Sequence, residues 1–397
     1  MKNIEKLYKY LPNETINWKL IKEELLLPYV DDLEKTMQEP KWHSEGNVLI
    51  HTHLVIKSLV ELKEYQALSK IEKLVVFLAA LFHDIGKIVC TKVIDKEIRS
   101  YHHGATGAKM LREYLWKDFS LAGSKEYQEF REGICLLIKY HSTPVYTYEN
   151  LEKKVVRLSL NSKLTKYYNL KLLSILAKAD TIGRISLENS DHLENLELFI
   201  EVSKELDCYE KAFNFKDSYT KYHYLNNDDT WLYDSLYNQN YGEVILLCGL
   251  PGTGKDTFIK NKFSDLPVIS LDDIREEENV DPNDEQGQVY NIAKERAKEL
   301  LRAKKEFIWN ATNISKLIRN KQIDLFHRYN ASVRIIFLET SIEENLIRNK
   351  SHSKEVNEKI IFKLLKNLEI PEESESEYVE WICVWKFSKK ESNISFL

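Results

Sequence analysis

The chain has 397 residues, 43% apolar and 30% charged, with a net charge of −5. This length suits about two or three domains, the balance excludes a disordered or fibrous chain, and the small net charge excludes a wholly basic nucleic-acid-binding body. With only 12 glycines and 8 prolines, low-complexity linkers are excluded and long helices are expected.

In chain order, Met1 to Lys6 mixes charges and has no apolar segment, so no secretory signal is expected and a cytoplasmic location is the default. Leu54, Val55, Ser58, Leu59 and Leu62 recur with the period of a helix. Ile71 to Ile85 reads as a buried helix, and Ile134 to Tyr140 and Leu170 to Ala179 are similar. The longest apolar run, Leu74 to Phe82, is nine residues. A membrane-spanning helix needs about 20, so no membrane partner is expected. Residues 1–205 therefore read as one helical domain. Residues 206–240, rich in tyrosine and asparagine, read as an aromatic connector packed on a domain.

From 241 to 397 the pattern changes. Glu243 to Cys248, Pro267 to Leu271, Glu306 to Asn310 and Val333 to Leu338 look like strands. Helical stretches lie between them near 285–304 and 315–329, so an α/β domain with a parallel sheet is expected. The fold class is thus multidomain, all-α followed by α/β. The five cysteines are widely spaced, which excludes a disulfide framework or zinc knuckle.

Gly249-Leu-Pro-Gly252-Thr253-Gly254-Lys255 lies between a strand and a helix. It matches the phosphate loop, whose backbone N–H groups cradle phosphates while the lysine bridges them. Gly249, Gly252, Thr253, Gly254, Lys255, Asp256 and Thr257 are the candidate nucleotide-binding set, with Arg348. The residue after the lysine is usually Ser or Thr, which holds magnesium; here it is Asp256. Asp256 either holds magnesium, directly or through water, or caps the helix. Asp272 and Asp273 follow the second strand, where an acid can accept a proton from an attacking hydroxyl. Thr312 and Asn313 follow the third strand, and Arg348, Lys350, His352 and Lys354 follow the fourth as a candidate cationic lid.

The helical domain holds a second constellation. His83-Asp84 ends the buried helix, where such a pair is costly unless used. His51, His103, His141 and Asp180 complete a candidate set of six ligands. Imidazole with carboxylate suits Mn, Fe, Co, Ni or Zn, and Asp84 as a bridge allows two metals that clamp a phosphoryl group. Lys87 lies one turn after His83 and Arg184 one turn after Asp180, so each pair is expected on one helix face, its cation available to substrate phosphate. His43, His53 and His102 receive no ligand role.

These residues resemble known families. His51, His83-Asp84, His103, His141 and Asp180 look like the HD phosphohydrolase motif set, and Trp42 to Thr52 is similar to the HD domains attached to tRNA nucleotidyltransferases. The phosphate loop, Asp272-Asp273-Ile-Arg275 and Thr312-Asn313 resemble phage-type polynucleotide 5′-kinases. In this order the two halves resemble the bacterial HD-Pnk end-healing enzymes.

The resemblance implies a kinase that moves the γ-phosphate of ATP or another NTP, with Mg²⁺, to a 5′-OH end of RNA or DNA. Lys255 would bind phosphates, Asp272 would act as general base and Arg275 would contact the acceptor. The HD module, with Asp84 and Lys87 at its centre, would remove 2′,3′-cyclic and 2′- or 3′-phosphates with one or two transition metals. A nucleic-acid ligase is the implied partner. One departure is His352, which stands where a second lid arginine is common. Two other readings stay open on the residues: action on free nucleotides or a small alcohol, and an ATP-binding regulator.

Overall fold

The computed structural model describes residues 2–12, 15–146, 149–186, 189–280, 286–351 and 355–384. The chain divides into two compact units. The first holds the described residues up to Phe119 together with Glu129–Lys216 and Leu225–Asp228. The second holds Ser120–Gln128, Asp217–Tyr224 and the described residues from Asp229 onward. Residues 206–240 are thus shared between the units.

The first unit is built on α1 (Val48–Glu61), α2 (Lys70–Phe82), α3 (His103–Lys117), α4 (Lys125–Tyr140, from Glu129 onward), α5 (Leu170–Gly183) and α6 (Asn189–Glu205). Asn47 caps α1 by accepting from the Ile50 amide at 2.9 Å, and Ser69 with Glu72 forms a capping box on α2. Every residue from Leu74 to Phe82 is buried, so α2 is the axis against which α1 and α5 pack. Each large side chain there contributes roughly 1.5–3 kcal/mol by leaving water. α2 ends at Phe82, with His83 as its C-cap, three residues earlier than the apolar pattern suggested. A hairpin, Lys92–Ile94 with Glu97–Arg99, was not expected from the sequence. Its turn uses Asp95 and Lys96 at φ 52° and 69°, so no glycine marks it.

The second unit carries a five-stranded parallel sheet. Its strands are β1 (Glu243–Cys248), β2 (Val268–Ser270), β3 (Phe307–Asn310), β4 (Ser332–Glu339) and β5 (Tyr378–Cys383), in spatial order β2-β3-β1-β4-β5. Helices α7 (Lys255–Lys262), α8 (Leu271–Glu277), α9 (Gln286–Arg302), α10 (Lys316–His327), α11 (Ile342–Ser351) and α12 (Glu358–Lys366) complete the α/β alternation. The register pairs Leu247 with Asn310, and Asn310 with Ser270. The loop after β1 and the ends of β2 and β3 therefore share one edge, where α/β sheets bind ligands.

β5 was missed in the sequence because it is a half-buried edge strand directly after the acidic run Glu372-Glu373-Ser-Glu375-Ser-Glu377. That run reads as a solvated face yet is buried. Glu373 pairs with Lys221 at 2.8 Å, Glu375 with Arg319 at 2.8 Å and Glu377 with His327 at 2.9 Å. Each acid meets a cation or imidazole distant in sequence, which is how buried charge is tolerated.

Candidate active sites

Helices α1, α2, α3, α4 and α5 bring all six expected metal ligands of the first unit to one place. Glycine makes two of the approaches possible. A Cβ on Gly86 would lie 2.0 Å from the His103 carbonyl oxygen, so only glycine lets the start of α3 meet His83-Asp84. A Cβ on Gly183 would lie 2.8 Å from the backbone of Val55, so glycine also lets the end of α5 settle on α1.

The ligands form two triads. His51, His83 and Asp180 make one, and Asp84, His103 and His141 the other. Asp84 lies between them. Its Oδ2 is 3.2 Å from His83 Nε2 and 3.7 Å from His51 Nε2, and its Oδ1 is 3.3 Å from His103 Nε2 and 3.9 Å from His141 Nε2. The Lys87 ammonium stands 2.8 Å from Oδ2.

The tautomers carry the argument for cations. His83, His103 and His141 each donate Nδ1–H to a carbonyl, those of Ala80, Ser100 and Ile138, at 2.7, 2.8 and 2.7 Å. His51 Nδ1 lies 2.9 Å from Glu45 Oε1. In the neutral rings Nε2 of His83, His103 and His141 therefore carries a lone pair, while His51 Nε2 lies 3.0 Å from Asp180 Oδ1. Yet His51 Nε2 and His83 Nε2 are 3.2 Å apart, and His103 Nε2 and His141 Nε2 are 3.3 Å apart. For His103 and His141, lone pairs facing each other at that range call for a cation between them, and carbonyl partners on Nδ1 are the usual orienting shell of metal-bound histidine. The residues fit two divalent metals.

Electrostatics agree. Burial opposes ionisation of Asp84, but His83 and Lys87 hold its carboxyl well below the usual range. Burial likewise opposes ionisation of Asp180, and Arg184 outweighs it. His141 is pushed down to about 3 by burial, which keeps its lone pair available. His83 is raised despite burial, chiefly by Asp84, as expected of a ring facing concentrated negative charge.

One of the two expectations about cations needs correction. Lys87 does not share a helix face with His83, because α2 stops at Phe82 and Lys87 opens a separate short turn, Lys87–Cys90. Its ammonium instead spans Asp84 and Gln38 Oε1, the latter at 2.6 Å. Arg184 does pair with Asp180, at 2.5 Å, and also donates to Tyr146 Oη at 3.0 Å. Its guanidinium is therefore buried as an Asp180 partner. The sequence reading also missed Glu45. Its Oε1 sits between His51 and His43, which lies 2.8 Å away. The only local signal was its closeness to His43 and His51 in the chain.

In the second unit the phosphate loop follows β1, with Gly249, Gly252 and Gly254 at φ 150°, 78° and 90°. The Thr312 carbonyl accepts from the Gly249 amide at 3.0 Å, and Asn345 Nδ2 donates to the Pro251 carbonyl at 2.6 Å. Thr253 is buried and donates to the Leu250 carbonyl at 2.9 Å, while Thr257 lies exposed on α7. Lys255 Nζ rests on the carbonyls of Gly249 and Leu250 at 3.2 and 3.1 Å. Burial lowers its pKa, with Asp256 and Asp272 opposing.

Asp272 lies in the first turn of α8, not in a cap, since Ser270 takes that role by accepting from the Asp273 amide at 3.2 Å. Its carboxylate is exposed and paired with Arg275 one turn on. Arg348 reaches the loop, donating to the Thr253 carbonyl at 3.3 Å and to Glu344 at 2.8 Å. Asn313 differs from its expected role. It is 3% exposed and donates Nδ2 to the Leu247 carbonyl at 2.6 Å, so its side chain supports β1. Asp256 accepts from Asn310 Nδ2 at 2.7 Å. Of the lid residues, Lys350 pairs with Glu358 at 3.2 Å, while His352 and Lys354 lie outside the described residues.

Comparison with known proteins agrees with this division. Residues 48–184 match the HD domain family and residues 244–371 match an AAA domain family. The Multifunctional CCA protein of Pasteurella multocida is 29% identical over 171 residues, covering 43% of this chain and 38% of that protein. Its counterpart in Shewanella frigidimarina is 27% identical over 191 residues, covering 48% and 41%. The chain thus spans about two fifths of the length of the curated relatives it matches. A solved Pnkp1/Rnl/Hen1 complex aligns with 31% of this chain and 43% of that one at 19% identity and a TM-score of 0.27. Among the described residues no helix is long and apolar enough to cross a membrane. An HD domain at 48–184 followed by an AAA-family domain at 244–371 matches the order of the HD-Pnk architecture.

Proposed function

We propose that the chain heals broken nucleic-acid ends, as an NTP-dependent 5′-OH polynucleotide kinase and a metal-dependent 2′,3′-cyclic phosphodiesterase and 2′(3′)-phosphatase. The observation that carries this reading is the presence, in one chain, of two separate phosphate-directed sites. One is a phosphate loop beside Asp272–Arg275, and the other is the double triad around Asp84.

In the kinase, loop amides and Lys255 hold the β- and γ-phosphates, so Lys255 must leave its carbonyls as nucleotide enters. Asp272 accepts the proton of the 5′-hydroxyl as the new O–P bond forms and the bond to the β-phosphate oxygen breaks, and Arg275 steadies the acceptor end. In the HD unit the metals, when bound, supply Lewis acidity and an activated water. The chain's own part is to orient the ligands through the Ala80, Ser100 and Ile138 carbonyls and to place the Lys87 cation at the centre. A nucleic-acid ligase is the natural consumer of the resulting 5′-phosphate and 3′-hydroxyl.

The test is a short RNA with a 5′-OH and a 2′,3′-cyclic phosphate, incubated with labelled ATP, Mg²⁺ and Mn²⁺. Label at the 5′ end with loss of the cyclic phosphate is expected, and mononucleotides should react more slowly. Unchanged ends in a protein that still binds ATP would refute the reading.

A further inference from the structure

P-loop NTPases commonly hold magnesium with a neutral hydroxyl on the loop helix and a carboxylate on a second, acidic motif. In this chain the first position is reversed in chemistry. The loop helix α7 carries the carboxylate, Asp256, and the neighbouring strand β3 ends in a neutral amide, Asn310. The two are in contact, with Asn310 Nδ2 donating to Asp256 Oδ1 at 2.7 Å. The opposite amide orientation would face oxygen with oxygen, so the carboxylate fixes which way Asn310 points.

Asn310 is 5% exposed and its Oδ1 has no hydrogen-bond partner. A buried acceptor without a donor is costly and asks for a ligand. Here it stands beside a carboxylate, at the sheet edge that carries the phosphate loop. A hydrated divalent cation answers both needs: positive charge for Asp256, and water protons for Asn310 Oδ1.

We propose that Asp256 and Asn310 are an exchanged form of the P-loop cation site, and that the exchange makes nucleotide binding conditional on a divalent cation. The proposal rests on the P-loop reading above. A hydroxyl beside the phosphates is neutral and tolerates metal-free nucleotide. A carboxylate there meets the triphosphate as a like charge and opposes binding. With the cation present, the same carboxylate becomes a favourable partner. Asp256 thus rejects nucleotide that arrives without metal, and Asn310 holds it in position.

The test measures binding, so it does not depend on turnover. A fluorescent ATP analogue is titrated into the full chain in excess EDTA and in excess Mg²⁺, and the ratio of the two affinities is read. The native chain should bind at least about tenfold tighter with Mg²⁺. Asp256→Ser should bind metal-free nucleotide more tightly and lose most of that ratio. The double variant Asp256→Ser with Asn310→Asp, which moves the carboxylate to the strand, should recover it. Asp256→Asn, which keeps the shape and removes the charge, should behave as Asp256→Ser and separates charge from misfolding. An unchanged ratio in both single variants would overturn the proposal and leave Asp256 as a favourable charge at a helix N-terminus. A double variant no better than Asp256→Ser would also overturn it. Absence of binding by the native chain under both conditions would instead refute the P-loop reading and the proposal with it.

Discussion

In the first unit, candidate ligands spread from His51 to Asp180 meet within a few ångströms, and His83, His103 and His141 are each oriented by a backbone carbonyl. In the second unit, the phosphate site is a run of consecutive residues from Gly249 to Lys255, and its lysine rests on the loop's own carbonyls. The HD site is assembled by tertiary packing and is poised before anything binds. The phosphate loop is assembled by local chain geometry, and under the proposed function its lysine must leave the loop carbonyls when nucleotide arrives. Preorganisation in one and adjustment in the other mean that the two sites should fail in different ways.

The largest effects come from removing each centre in turn. Asp84→Ala deletes the carboxylate shared by both triads and should lower removal of the cyclic phosphate about a thousandfold, with 5′ phosphorylation kept. Lys255→Ala should lower 5′ phosphorylation about a hundredfold or more and leave the other activity intact. Both are read on the same RNA, and loss of both activities in either folded variant would break the contrast.

An intermediate effect should come from Glu45, whose carboxyl is depressed. Burial opposes this, but His43 and His51 prevail. Glu45→Gln leaves every ligand in place and loosens the orientation of His51. Metal content or affinity should fall about ten- to hundredfold, as is typical of orienting groups. Unchanged metal affinity would show that packing alone positions His51.

The remaining effect concerns stability and acid. Glu132 is buried and shared by Arg112 and Arg131, at 2.6 and 2.7 Å. Burial opposes its ionisation, yet the two guanidiniums keep its pKa below the ordinary value. A depressed carboxyl stabilises the fold above the unfolded pKa, about 4.3, and that contribution is lost as pH falls through the folded value. Urea midpoints should therefore drop below about pH 4 in the native chain. Glu132→Gln should flatten that slope while costing about 3–5 kcal/mol near neutrality. A variant that keeps the acid slope would assign it to other carboxylates.

Much of this was legible in the residues. The phosphate loop is contiguous, so its glycines and lysine announce it without a fold. The six residues of the double triad were readable as a candidate set because histidine next to aspartate at the end of an apolar helix is costly unless it has a use. Other features were hidden for physical reasons. Glu45 gains meaning only when α1 turns His51 Nδ1 toward it. Asn313 carries the polar chemistry of a ligand contact, but its amide is spent on the Leu247 carbonyl. The acids around Glu375 look solvated until Lys221, Arg319 and His327 are brought to them.

By itself, the amino-acid order determined the helical and α/β halves, the loop and the residues of the double triad as candidates, because hydrophobic period, glycine spacing and donor chemistry act over a few residues. Only the tertiary structure decided that Asp84 divides two triads, that Lys87 answers Asp84 and not His83, and that Asp256 faces an amide with an empty acceptor. Those facts depend on distances between atoms far apart in the chain, and packing sets such distances.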